Sequence, residues 1–259
     1  MRTATRTLGF LLLACALGQA QSSSDMQNMP GMANMPGMKD APSTNAAADE
    51  NDAPMQAMST RHMDMGPHMK MTALRPIQPG DQEKAAKIVV AARQAAEKYT
   101  DYKVALADGY KIFHPEVPQK QYHFTNYMYA FEAARAFNPD HPTSLLYEKQ
   151  GDGYKLVCVM YTARKGTSEE ELNNRVPLSI AQWHEHVNIC LPPADKGQDA
   201  LTPKQQFGFR GSITTQEACD AAGGRFRPQI FGWMVHVYPF EQKPEDVWSA
   251  ERQHDEHMD

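Results

Sequence analysis

Hydrophobic residues between positions 80 and 248 recur first at helical spacing and then in short strand-like runs. The helical pattern predicts a helix from Asp81 to about Tyr99, because apolar side chains fall on one face at Ala85, Ile88, Val89, Ala92 and Ala96. Later apolar runs predict strands at residues 122–126, 145–148, 154–162, 180–190 and 232–240. Short helices are expected at residues 131–137, 168–174, 202–207 and 214–222.

The strands at 145–148 and 154–162 are separated by a turn that contains Asp152-Gly153, which is a hairpin signal. Strands joined in this way, and interrupted by short helices, predict an α+β fold. We expect an antiparallel sheet, possibly barrel-like, with an N-terminal helix and short flanking helices. This domain should occupy residues 80–248, and the charged segment 249–259 should form a C-terminal tail.

The N-terminal segment has the features of an export signal. Arg2 and Arg6 precede an apolar run at residues 8–17, which is too short to cross a bilayer as a helix. Cleavage after Ala20 would remove residues 1–20. Alternatively, Leu12-Leu13-Ala14-Cys15 resembles a lipobox, and Cys15 would then be lipidated and anchor the protein to a membrane. Both alternatives predict a periplasmic, secreted or envelope location.

Methionine is concentrated between the signal and the domain. Residues 21–75 contain no Phe, Trp or Tyr, and Leu74 is their only Leu, Ile or Val, so methionine cannot be filling a core there. We expect residues 21–79 to be a disordered tail. Thioether sulfur is a soft ligand that favours Cu(I), and imidazole extends the range to Cu(II), Zn and Ni. The candidate ligands of the tail are Met26, Met29, Met32, Met35, Met38, His62, Met63, Met65, His68, Met69 and Met71.

This tail resembles the Met/His-rich segments of bacterial periplasmic copper-resistance proteins, a likeness that covers the tail alone. It implies copper as the bound ion, with zinc or another transition metal as the alternative. The competing interpretation is a low-complexity spacer that binds nothing.

Two predicted strands carry histidines that could hold an ion. In the segment at residues 182–190, His184 and His186 share one strand face with Asn188 and Cys190, while Glu185 faces away. His236 lies on the last strand, and it can complete a three-histidine set if the two strands are neighbours. Three protein ligands leave an open position, and His123 is the candidate for a fourth.

The domain also resembles a group of uncharacterised exported bacterial proteins. The shared features are an Asp-Gly-Tyr turn, a strand with His and Asn, a Leu-Tyr-Glu hairpin, a Trp-His-x-His segment and a late Trp-x-x-His-Val strand. Here they lie at residues 108–110, 123–126, 146–148, 183–186 and 233–237. This resemblance supports the grouping of the histidines and implies no reaction.

Three cysteines follow the signal. Cys190 and Cys219 are the predicted disulfide, whereas Cys158 lies among strand apolars and should be a buried thiol. Cys190 as a ligand beside His184 and His186 is the alternative.

The sequence therefore favours an exported metal-binding protein that buffers or transfers copper in the cell envelope. The net charge of −5 and the ten histidines argue against a nucleic-acid partner. The expected partners are the metal ion and an envelope protein that exchanges it. A metalloenzyme with an open coordination position is one alternative, although no general base is evident. An interaction module with a spacer tail is the other.

Overall fold

The computed structural model describes residues 66–201, 205–250 and 252. The predicted export signal with Cys15 and the C-terminal tail, apart from its first residues, lie outside the described residues. So do the predicted ligands Met26, Met29, Met32, Met35, Met38, His62, Met63 and Met65. The described residues belong to one compact unit.

The described chain is an α+β structure, as the sequence predicts. Its helices are α1 (Asp81–Lys98), α2 (Tyr102–Ala107), α3 (Tyr127–Ala133), α4 (Glu169–Arg175), α5 (Gln216–Ala221) and α6 (Pro244–Val247), with a 3-10 segment at Ala194–Leu201. Its strands are β1 (Met69–Met71), β2 (Lys111–Ile112), β3 (Gln121–Thr125), β4 (Ser144–Gln150), β5 (Gly153–Ala163), β6 (His184–Leu191) and β7 (Arg225–Val237). None of the described helices combines the length and apolar character needed to span a membrane.

The strands form one antiparallel sheet in the order β1-β6-β7-β5-β4-β3-β2. The sheet is open, so barrel-like closure does not occur, but it is strongly curved. Phe113 follows β2, and its ring centroid lies 5.8 Å from that of Phe231 on β7. In a flat sheet those two strands would be roughly 19 Å apart, four times the usual strand separation.

The boundaries of the elements follow local chemistry. Gly80, with a φ of 91°, occupies the N-cap position of α1 in a left-handed conformation, and Asp81 is the first helical residue. Ser168 caps α4 through a complete capping box with Glu171. The predicted hairpin is confirmed, since Gln150 pairs with Gly153 at the turn between β4 and β5.

Part of the predicted disordered tail belongs to the sheet, which corrects the boundary at residue 79. Met69, Lys70 and Met71 pair with His186, Glu185 and His184 as an edge strand. The main chain of Thr72 donates to the carbonyl of Trp183 at 2.8 Å, and that of Val187 donates to the carbonyl of His68 at 3.0 Å. Pairing with an existing strand satisfies backbone groups that local sequence leaves without partners, so order here depends on tertiary contacts.

The main core lies between the sheet and α1. Small residues of α1 pack on aromatic and aliphatic side chains from one face of the strands, among them Phe124, Tyr147, Val159 and Val235. We call this side of the sheet the helix face. The opposite side carries the predicted metal-site residues.

Candidate metal centre

The three strand histidines of the predicted site lie together. The ring centroid of His184 is 5.6 Å from that of His186 and 5.1 Å from that of His236. All three side chains are buried, and both His184 and His236 are fully inaccessible to solvent. The predicted proximity of β6 and β7 is therefore confirmed, with His184 paired to Met234 on the neighbouring strand.

His123 lies on β3, yet the curvature of the sheet brings it within electrostatic range of the other histidines. Burial lowers the pKa of His186 well below its ordinary value, and the neighbouring imidazoles of His184, His123 and His236 lower that pKa further. The neutral imidazole, which is the form that binds metal ions, is therefore favoured at His186.

Methionines surround these imidazoles. Directly paired residues of an antiparallel sheet point to the same face, and here His184 pairs with Met71 and Met234, His186 with Met69, and His236 with Met160. Cys158 is buried and is not part of a disulfide, and it packs with Met160, Met234 and Leu146 in a separate small cluster. We call this side of the sheet the histidine face; it comprises His123, Leu146, Cys158, Met160, Met234, His236, His184, His186, Met69 and Met71.

A β-bulge in β7 changes the pairing of β7 with β6 on the histidine face. His184 pairs with Met234 but His186 pairs with Ile230, so the residues between them on β7 bulge outward. Phe231 has a φ of 62° in this bulge. A Cβ at Gly232 would clash with the carbonyl of Ala163, which explains why this position lacks a side chain.

An aromatic layer adjoins His186 at this bulge. The ring centroid of Phe209 lies 4.9 Å from that of His186, and Phe209 in turn stacks on Phe231 with centroids 6.1 Å apart. Both phenylalanines are partly exposed, at 37% and 40%. His186 thus lies next to two aromatic rings that are themselves partly exposed at the protein surface.

His68 does not extend into solvent as the predicted tail would require. Its side chain is 7% exposed, and its Nε2 donates to the carbonyl of Gly211 at 2.5 Å. This hydrogen bond therefore holds the start of β1 against the loop that contains Phe209. This contact gives His68 a structural role beside the site.

Glu185 lies on the helix face, as the alternation predicts. Its carboxylate accepts hydrogen bonds from Lys70, at 3.1 Å, and from Gln229. The Lys70 ammonium also lies 5.1 Å from the ring centroid of Trp233. Glu185 is consequently engaged on the side of the sheet that faces away from the imidazoles.

The predicted alternation of β6 ends at Asn188. This residue has a φ of 56°, and its side-chain amide donates to the carbonyl of Pro67 at 3.1 Å. Cys190 forms the predicted disulfide with Cys219, with Cα atoms 5.6 Å apart, so it is not a ligand. Only the first two members of the predicted set, His184 and His186, serve the candidate centre.

Within the described part of the chain, no three His, Cys, Asp or Glu side chains form a ready-made metal-binding group. The imidazole planes meet edge to face, at 80° for His184–His186 and 73° for His184–His236. Ligand nitrogens lie about 2 Å from a bound ion. Coordination of one ion by these rings would require rotations of their side chains.

Sequence reasoning missed Met160 and Met234 as possible ligands. The alternation of β7 places Met234 beside His236, but Met160 joins them only because β5 is the next strand to β7. No protein-family model matches this chain, and no curated protein or solved structure shows significant similarity to it.

Proposed function

We propose that this protein is an exported copper-binding protein that buffers or transfers the ion in the cell envelope. The observation that carries the proposal is the contact of three buried imidazoles on the histidine face, at centroid separations of 5.1 and 5.6 Å. Neighbouring neutral imidazoles supply nitrogen ligands of the kind that copper ions bind.

The Met/His-rich segment supports the same ion. Its last two methionines, Met69 and Met71, lie on β1 directly opposite His186 and His184. The preceding residues 26–65 contain nine further methionines. A continuous run of soft ligands that ends at the imidazoles fits capture and delivery of copper better than it fits turnover of a substrate.

The residues around the imidazoles favour the binding of an ion over the catalysis of a reaction. General acid–base catalysis needs a titratable group within hydrogen-bond reach of the reacting atoms. Glu185 is the carboxylate nearest in sequence, and it is held on the other face by Lys70 and Gln229. The Cys190–Cys219 disulfide supports an oxidising compartment, in agreement with the export signal expected from the sequence.

The test uses the full chain with His184→Leu, and His114→Leu as its control. His114 has a side chain that is 57% exposed and lies outside the histidine face, so its replacement should leave metal content unchanged. After loading with copper, removal of excess ion and elemental analysis, we expect His184→Leu to lose one equivalent of copper. Equal copper content in both variants would contradict the proposal.

A separate titration tests the tail. A peptide of residues 26–65 should bind Cu(I) with an affinity that changes little with pH near neutrality, because a thioether has no proton to lose. The matched control replaces each methionine with isoleucine. If the control competes equally well against a Cu(I) chelator, the tail is a spacer.

A further inference from the structure

The methionines of the histidine face stand in a fixed relation to its imidazoles. Met71, His184 and Met234 form one row of directly paired residues across β1, β6 and β7. Met160 and His236 form a second pair between β5 and β7. Every buried histidine of the trio thus has at least one methionine directly across from it.

These pairs bring sulfur within reach of the imidazole nitrogens. Directly opposite residues of an antiparallel pair have Cβ atoms about 4.5–5.5 Å apart. Methionine has three rotatable side-chain bonds, so its sulfur can approach an ion held between two such residues. Met160 and Met234 are each only 6% exposed, and they pack in the same buried cluster.

The charge of the residues around the histidines affects which ion the site prefers. The residues paired with the three histidines are methionines and Ile230, and none of them carries a charge. Placing an ion in a buried, neutral site costs desolvation free energy, which grows with the square of the charge. A monovalent ion is therefore favoured over a divalent one, and thioether sulfur adds a preference for a soft ion.

We infer that the histidine face is a Cu(I) site of mixed imidazole and thioether ligands, in which Met160 and Met234 bind the ion together with His184 and His236. This inference rests on the proposed function and specifies the oxidation state of the ion and two further ligands. The row of Met71, His184 and Met234 connects this site to the end of the methionine-rich segment.

The experiment compares two ions in three variants of the full chain. To remove the contribution of the tail, the nine methionines between residues 26 and 65 are replaced with glutamine in every sample. The variants are Met160→Leu with Met234→Leu, His184→Leu, and Met128→Leu. Leucine preserves apolar volume but removes sulfur. Met128 is the control because it is 73% exposed and lies on α3.

We expect the double methionine variant to lose at least about tenfold in Cu(I) affinity, measured against a chromogenic chelator, since a residue that binds the ion directly matters at least as much as one that only orients a ligand. Its Zn(II) affinity should stay within about twofold, because zinc is bound mainly through imidazole here. His184→Leu should weaken both ions, and Met128→Leu should weaken neither.

The outcomes separate the two proposals. Unchanged binding of both ions by His184→Leu would overturn the proposed function itself. If His184→Leu loses affinity for both ions while the double methionine variant keeps its Cu(I) affinity, this inference alone is overturned. It is also overturned if the double methionine variant loses affinity for Cu(I) and Zn(II) equally. Carbon-13 spectra of methionine methyl groups give a check without mutation at the site: Met160 and Met234 should shift on addition of Cu(I), and unshifted resonances would refute their role.

Discussion

The two faces of the sheet differ in the contacts that their buried polar side chains make. On the helix face, buried tyrosine hydroxyls donate to backbone carbonyls: Tyr147 to Tyr99 at 2.7 Å, and Tyr110 to Pro142 at 2.8 Å. On the histidine face, imidazoles lie against one another and against methionines. The polar atoms of the first face bond loops and helices to the sheet, whereas the second face brings together imidazole and thioether side chains, which are able to bind metal ions.

This difference indicates that the two faces have different roles, one in folding and the other in binding. Aromatic burial with satisfied hydroxyls stabilises the fold. The buried imidazole of His186, whose pKa is lowered, reduces stability at mild acid pH, and groups with perturbed pKa values cluster at functional sites. We therefore expect substitutions on the helix face to act mainly on folding and those on the histidine face mainly on binding.

The largest expected effect is on the helix face. Phe124 is fully buried, and its ring lies 4.4 Å from that of Tyr147 by centroids, so Phe124→Ala should leave a cavity and lower the free energy of unfolding by about 3–5 kcal/mol. Chemical denaturation measures this change. Phe131→Ala is the control, because Phe131 is 60% exposed and should change the free energy by no more than about 0.5 kcal/mol. Similar losses in both variants would remove the assignment of Phe124 to the core.

The second effect concerns the Cys190–Cys219 disulfide. Replacing both Cys190 and Cys219 with alanine opens a loop with a sequence separation of 29 residues. The entropy of the unfolded chain then rises, and we expect the free energy of unfolding to fall by about 3–4 kcal/mol. Replacing Cys158 with alanine is the control, because Cys158 is not part of the bridge, and thiol titrations of the unfolded variant should still find Cys190 and Cys219 joined.

The third effect is a pH dependence of the metal-free protein. Because the pKa of His186 is lowered in the folded state, the unfolded chain binds a proton that the folded chain excludes. Stability should thus be complete above pH about 6.5 and fall below it by up to about 1.4 kcal/mol per pH unit, until His186 is protonated in the folded state as well. Unfolding curves between pH 7 and 5 measure the slope, and His186→Leu should flatten it. An identical slope in that variant would place the acid sensitivity elsewhere.

The fourth prediction has the smallest expected change in stability, and it distinguishes the roles of the two faces most directly. His184→Leu exchanges a buried imidazole for an apolar side chain of similar volume, so the free energy of unfolding without metal should change by less than about 1.5 kcal/mol. The same variant should lose its site-bound copper. A loss as large as that of Phe124→Ala would mean that both faces serve the fold.

Local signals in the sequence determined most of the elements. The Asp152-Gly153 turn predicted the hairpin of β4 and β5, and Ser168 with Glu171 formed the capping box of α4. Alternation placed His184 and His186 on one face and Glu185 on the other. These features depend on residues close together in the chain, so sequence alone was sufficient for them.

The remaining features needed the tertiary structure because they depend on which strands are neighbours. The segment at Met69–Met71 has too few apolar residues to predict a strand, and it becomes one only by pairing with β6. Met160 joins the histidines because β5 lies next to β7, and His123 comes within range of His186 because the open sheet curls. Strand order and curvature arise from long-range packing and backbone pairing, and neither is encoded in a local period.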